Sequence, residues 1–267
     1  MNIFIYYRLN LVALLVTISL LVGARNTRAD DLLQPRDGWE IGLQVSEYEY
    51  EEPNLAKLEG PRLGATLAYM HAPKGSSFLR FDGRVSAGLL DYEGSGTQSN
   101  VPDGIVELRV TGGKGFRTSS NASLAPYAGL GYRFLYNDNR GTSSTGASGY
   151  RRYSNYLYAP IGLTFRAQTS SKWVLATTLE YDVFLAGRQV SRLSDAGMSY
   201  SDITNDQDKG YGYRIYLMAE TDSWAIGPWL HYWSIEDSDT AIDINGTTWL
   251  EPANTTLEYG LELRRRF

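Results

Sequence analysis

The chain has 267 residues, 43% hydrophobic and 21% charged, a balance that speaks against a wholly disordered polymer and suits one large domain or two small ones. A mean hydropathy of −0.31 speaks against a bundle of apolar membrane-spanning helices. The net charge of −5 argues against general nucleic-acid binding, and the lack of cysteine excludes disulfides, thiolate metal sites and cysteine nucleophiles. With only His71 and His231, a multi-histidine metal site is poorly supported, and no cofactor is expected. Twenty tyrosines and 27 glycines favour strands and turns over helices.

The first segment reads as an export signal. Arg8 precedes an apolar run from Leu11 to Val22, too short to span a bilayer, and both Ala24 and Ala29 supply the small residue at a cleavage site. The expected division is a signal peptide over 1–29 and a single mature domain over 30–267, with cleavage after Ala24 as the alternative. Without Arg8, Arg25 and Arg28, 22 basic residues face 30 acidic ones, a net charge near −8.

Strand follows strand from there. Side chains alternate between apolar and polar, the period of a half-buried strand, over Trp39–Tyr50, Arg62–Met70, Phe78–Tyr92, Ile105–Phe116 and Pro126–Tyr136. The rhythm continues through Asn155–Ala167, Trp173–Ala186, Tyr211–Thr221, Trp224–Ile235 and Thr255–Phe267. Most of these segments match the length a tilted strand needs to cross a bilayer. The connections alternate too. Short ones at Ala72–Ser77, Arg117–Ser123, Thr169–Lys172 and Asp222–Ser223 are expected at one end. Long polar ones at Glu51–Gly60, Glu93–Gly104, Asn137–Ser154, Gly187–Gly210 and Glu236–Asn254 are expected at the other.

The signal segment and the closing alternation Tyr259, Leu261, Leu263 and Phe267 resemble those of the small outer-membrane β-barrel proteins of Gram-negative bacteria. The resemblance covers the mature chain. It implies an all-β fold, a closed antiparallel up-and-down transmembrane barrel of about ten strands (about 8–12). It also implies location in the outer membrane, contact with its lipid and lipopolysaccharide, and a C-terminal signal read by the barrel-insertion machinery. Arg265 departs from that pattern by falling on the outward face, near enough to the membrane edge to reach headgroups. An architecture follows from the resemblance; an activity does not.

With the last strand as phase reference, the outward set is apolar, and Trp39, Phe116, Trp173, Trp224 and Phe267 form an aromatic girdle at the short-turn end. The inward set is charged: Arg62, Arg80, Asp82, Arg84, Glu107, Arg109, Arg133, Glu180, Asp182, Arg214, Glu258 and Glu262, with Glu40, Arg166, Arg188, Glu220, Arg264 and Arg266. Every base is Arg, which pairs bidentately with carboxylates, so a lattice of ion pairs filling the lumen is expected.

Catalytic patterns are weak. Omptin-type proteases use acidic residues with a histidine toward the outer end. Here His231 faces inward at mid-strand, with Asp82 or Asp182 as candidate lumen neighbours and no adjacent Asp-His pair, so a hydrogen-bonded structural histidine is expected. The spacing His231-Tyr232-Trp233-Ser234 does not fit the His-x-Ser motif of lipid A deacylases. Asp202, Asp206 and Asp208 lack EF-hand spacing. The expected function is therefore a non-enzymatic surface or structural role, with Tyr150, Tyr153, Tyr200 and Trp249 as loop contacts. A narrow solute channel is the alternative, and a barrel enzyme comes third.

Overall fold

The computed structural model describes residues 32–73, 76–170 and 173–267, so the expected signal peptide lies outside the described residues. In chain order the strands are β1 (Gly38–Glu52), β2 (Ala56–His71), β3 (Ser77–Gly94), β4 (Gly96–Lys114), β5 (Phe116–Ser119), β6 (Ala122–Thr142) and β7 (Ser148–Gln168). They continue with β8 (Val174–Ser191), β9 (Ile203–Gln207), β10 (Gly210–Glu220), β11 (Trp224–Ile235), β12 (Thr240–Ile242), β13 (Thr248–Leu250) and β14 (Asn254–Arg266). Ten of them form one antiparallel barrel, the all-β up-and-down architecture expected from the alternation.

Closure comes from the first and last strands. β1 pairs with β14 from Glu40 opposite Arg266 to Glu51 opposite Thr255, and the Phe267 N–H donates to the Trp39 carbonyl. The start of β1 and the end of β14 therefore lie with the short turns. β8 pairs directly with β10, while β9 extends the far end of β8 and β12–β13 form a separate hairpin.

Most of the expected long loops are strand. β1 and β2 are joined by residues 53–55 alone, with Asn54 at φ 63°, and only Ser95 separates β3 from β4. The apolar alternation stops where the wall leaves the lipid, whereas backbone pairing continues in water with polar side chains on the outer face. Tyr150 and Tyr153 thus stand on β7 and not in a loop.

The exterior is a belt of exposed apolar side chains, including Leu43, Leu63, Val85, Leu108, Leu130, Ile161, Leu179 and Leu217. Trp39, Phe116, Trp173 and Phe267 are exposed below it at the turn end. There Arg265 lies between the rings of Trp224 (4.9 Å) and Phe267 (5.6 Å), so the outward arginine is part of the girdle. A second girdle stands at the loop end, where rings meet across strands: Phe134–Tyr153, Tyr181–Tyr211 and Tyr213–Tyr232.

Arg188 does not face the lumen. The β7–β8 ladder slips between Leu157 and Tyr158, opposite Ala186 and Phe184, and the extra residue on β8 reverses its parity. Gln189 and Ser191 therefore turn inward, while Arg188 is exposed and pairs with Asp206 on β9 at 2.9 Å.

Glycines on the inner wall make room for rings. A Cβ on Gly131 would overlap the Tyr158 ring, which is fully buried and donates through its hydroxyl to Glu107 Oε1 at 2.8 Å. Gly131→Val is expected to destabilise the barrel by about 1–3 kcal/mol through overpacking. Urea unfolding followed by heat-modifiable gel migration measures the loss; wild-type stability in the variant would contradict this packing.

Candidate functional site: the filled barrel interior and its loop end

The inward parity of ten strands brings the charged residues into stacked layers. At the turn end, Arg80 donates to Glu40 (2.9 Å) and Asp82 (2.7 Å). Arg266 bridges Glu40 (2.7 Å) and Glu220 (2.8 Å), Arg166 also reaches Glu220, and Arg264 pairs with Glu262 at 2.7 Å.

Above this ring the pairs are almost wholly buried. Arg214 grips Glu107 with two parallel bonds of 2.8 and 2.6 Å and gives its Nε–H to Asp182 at 2.7 Å. Arg109 and the Tyr127 hydroxyl both donate to Glu180, at 2.5 and 2.7 Å. Arg84 pairs with Glu258 at 2.5 Å and donates to Gln44 at 2.9 Å. Arg62 pairs with Asp103 while its guanidinium stacks 3.3 Å from the centre of the Tyr48 ring. Arg133 differs: it donates to the Thr256 hydroxyl at 3.3 Å and lies over Trp233, and among the described residues no carboxylate pairs with it.

Sequence reasoning missed the next layer. Tyr48, Leu58, Leu90, Val101, Ile105, Leu135, Tyr156, Tyr158, Phe184, Trp233 and Ile235 form one buried apolar cluster inside the barrel toward the loop end. Each stands at the inward parity of its strand, so the alternation contained the signal. Arg152 lies beyond this layer, with its Nη2 between Glu52 (2.5 Å) and Glu251, while Tyr50 donates to Glu52 at 2.7 Å. That clasp ties β1, β7 and the segment before β14 together.

A cavity of about 460 Å³ opens at the turn end between residues 32–40 and Arg80, Arg166, Glu220 and Arg266. Farther in, the voids shrink to about 120 Å³ and then about 40 Å³. Residues 32–37 cross the turn-end mouth as a strap. Leu32 and Leu33 bury against Val174, Arg36 pairs with Asp222 at 2.5 Å, and Asp37 accepts from the Ala72 N–H at 2.9 Å.

His231 is a buried, hydrogen-bonded residue of the lumen. Its Nε2 lies 2.5 Å from the Tyr216 hydroxyl and its ring against Trp229, and neither Asp82 nor Asp182 bonds it. Burial selects a ring partner of matching polarity at that height. His71 sits at the turn end, 3.1 Å from Asp37. No group of three or more metal-binding side chains occurs among the described residues; Asp202 and Asp206 instead pair with Arg192 and Arg188.

At the loop end, β12–β13 turn through Gly246 at φ 82°. The Trp249 indole N–H donates to Asp243 at 3.1 Å and the Asn245 and Thr247 N–H groups at 2.8 Å each, which holds the Asp243 carboxyl below its ordinary range.

No protein-family model and no curated protein matches the chain. Solved structures do. The outer membrane protease OmpT from Escherichia coli superposes with a TM-score of 0.54 at 10% identity, over 86% of this chain and 97% of that one. The toluene transporter TodX of Pseudomonas putida (TM-score 0.41, 10% identity, 89% and 93% covered) and the translocator domain of the Neisseria meningitidis autotransporter NalP (0.40, 11%, 90% and 92%) are more distant. The fold is that of the outer-membrane β-barrel proteins.

The lattice and the exposed pair are expected to behave oppositely. Arg214→Met strands Glu107 and Asp182 in the interior and is expected to cost about 3–5 kcal/mol. Arg188→Ala removes a solvent-screened pair and leaves the unfolding midpoint unchanged. Urea titration of the refolded barrels compares them, and equal losses would place both arginines in the lumen.

Proposed function

We propose that this chain is a structural or surface-interaction protein of the outer membrane, exported by residues 1–29. In this reading the barrel anchors and holds rigid a loop-end platform that faces outward. The observation that carries the reading is the filled interior: paired charges at mid-height, then a buried aromatic and aliphatic cluster, then the Arg152 clasp. Paired charges and buried rings stacked in this way oppose the passage of a hydrated ion. Strap and short turns then lie on the periplasmic side, and β9 and the β12–β13 hairpin outside.

The reading is non-enzymatic. His231 is enclosed with Tyr216 and His71 lies at the turn end, so neither histidine stands at the outer mouth where a large substrate arrives. The proposed partners of the wall are outer-membrane lipid and lipopolysaccharide. Phe134 and Tyr136 on the exterior of β6 are followed at the same parity by Asp138 and the exposed Arg140, which pair at 2.6 Å, and this polar pair next to the aromatic girdle supports contact with headgroups. The insertion machinery is proposed to read Tyr259, Leu261, Leu263 and Phe267, and Tyr259 and Phe267 are the most exposed of these four.

Two measurements test the reading. In planar bilayers the refolded chain is expected to give no discrete conductance steps, and the Tyr158→Ala/Trp233→Ala variant is expected to leak. Reproducible wild-type steps altered by Arg84→Ala or Arg109→Ala would establish the narrow channel instead. Deleting Phe267 is expected to lower the amount of heat-modifiable barrel in the outer membrane; normal abundance would remove the insertion-signal role.

A further inference from the structure

The outer platform carries apolar surface in water. β12 and β13 form a two-stranded sheet apart from the barrel, so the hairpin offers one face inward and one outward. Ala241 and Trp249 share the inner face, where Trp249 meets the Tyr200 ring edge-on at 6.5 Å. Thr240, Ile242, Thr248 and Leu250 share the other. Ile242 is 70% exposed, Ile244 at the turn 80%, and Met198 on the neighbouring loop is entirely exposed. The two loops are joined: Asn245 Nδ2 donates to the Ser199 carbonyl at 2.9 Å and the Ile244 N–H to the Ser201 hydroxyl at 3.4 Å. Exposed aliphatic side chains grouped on an ordered platform mark an interaction site.

The loop-end cations Arg188, Arg192 and Lys209 pair with Asp206, Asp202 and Glu236, so the charge left unpaired around this surface is acidic. Residues 236–253 contain Glu236, Asp237, Asp239, Asp243 and Glu251 and no Lys or Arg. Arg152 neutralises Glu251, and three N–H donors satisfy Asp243. Asp237, Asp239 and the adjacent Asp208 are exposed, and none has a cationic partner among the described residues.

Resting on the surface-interaction reading above, we infer that the β12–β13 hairpin and the 197–201 loop form a docking surface for a cationic amphipathic protein segment. Its apolar side chains cover Ile242, Ile244 and Met198, and its Lys or Arg side chains face Asp208, Asp237 and Asp239. Charge selects this occupant. A second copy of the chain would set like charges against one another, and anionic lipid headgroups are repelled in the same way.

The test uses the refolded chain in phosphatidylcholine nanodiscs and a fluorescent peptide of alternating Leu and Lys, read by anisotropy. Binding is expected above that of empty discs and is expected to weaken as salt rises from about 50 to about 300 mM. It is expected to fall by about tenfold in Ile242→Ser/Ile244→Ser/Met198→Ser and likewise in Asp208→Asn/Asp237→Asn/Asp239→Asn. Equal binding to empty discs, wild-type binding by both variants, equal binding of a Leu/Glu peptide, or dimerisation of the wild type through this patch would each overturn the inference. Heat-modifiable migration confirms that the variants fold. A barrel that stays non-conducting yet binds no peptide would sink the docking surface and leave the closed-barrel reading standing.

Discussion

A side chain that points into the middle of a closed ten-strand barrel cannot retreat to bulk water, so the charges placed there take partners within the wall, and only Arg133 among the described lumen arginines does without a carboxylate. Most of this structure follows from that constraint. Ionised groups in a confined, weakly hydrated space carry a large desolvation cost, offset only by close opposite charge and full hydrogen bonding. Arginine meets the demand with a planar fork of donors. Arg214 shows how: one guanidinium serves Glu107 on β4 and Asp182 on β8, linking strands far apart around the barrel. The same pairs that neutralise the interior therefore brace the wall across its diameter. Neutral groups supplement them, as with Tyr158, whose hydroxyl donates to Glu107 and accepts from Arg214 at 2.9 Å.

The layering gives the two ends of the molecule different character. Turn-end charges border an open vestibule of about 460 Å³ and exchange with solvent. The apolar layer around Tyr48, Tyr158 and Trp233 excludes water from above. Beyond it Arg152 fastens Glu251, next to the β12–β13 hairpin, to Glu52 at the tip of β1. The hairpin thus rests on the barrel through an ion pair, and on the 197–201 loop through Trp249 and Tyr200. A rigid base of this kind lets exposed aliphatic side chains stay displayed without collapsing onto the wall.

Much of this was legible in the sequence because the strand period ties each residue number to one face of the wall. Parity alone separated Leu261 and Leu263 from Glu258 and Glu262, and it turned His231 inward and Ser234 outward. The rule holds only while the ladder is regular. One extra residue near Ala186 moved Arg188 outside, and no local composition announces such a bulge. Strand ends were harder still, because pairing above the membrane needs no apolar alternation; Arg152 was consequently read as loop although it stands inside β7. The partners of His231 depend on strand stagger, which one sequence does not encode in any short-range pattern.

The central claim is that the lumen charges act as coupled pairs, and a double-mutant cycle on Arg84 and Glu258 tests it most directly. Their atoms stand 2.5 Å apart, and both side chains are buried. Urea stability of Arg84→Met, Glu258→Met and the double variant gives the coupling. The expected result is a double variant more stable than the sum of the single losses predicts, by at least about 1 kcal/mol. Additive losses would contradict the account, since they would mean that the two charges are solvated independently in an open, water-filled barrel.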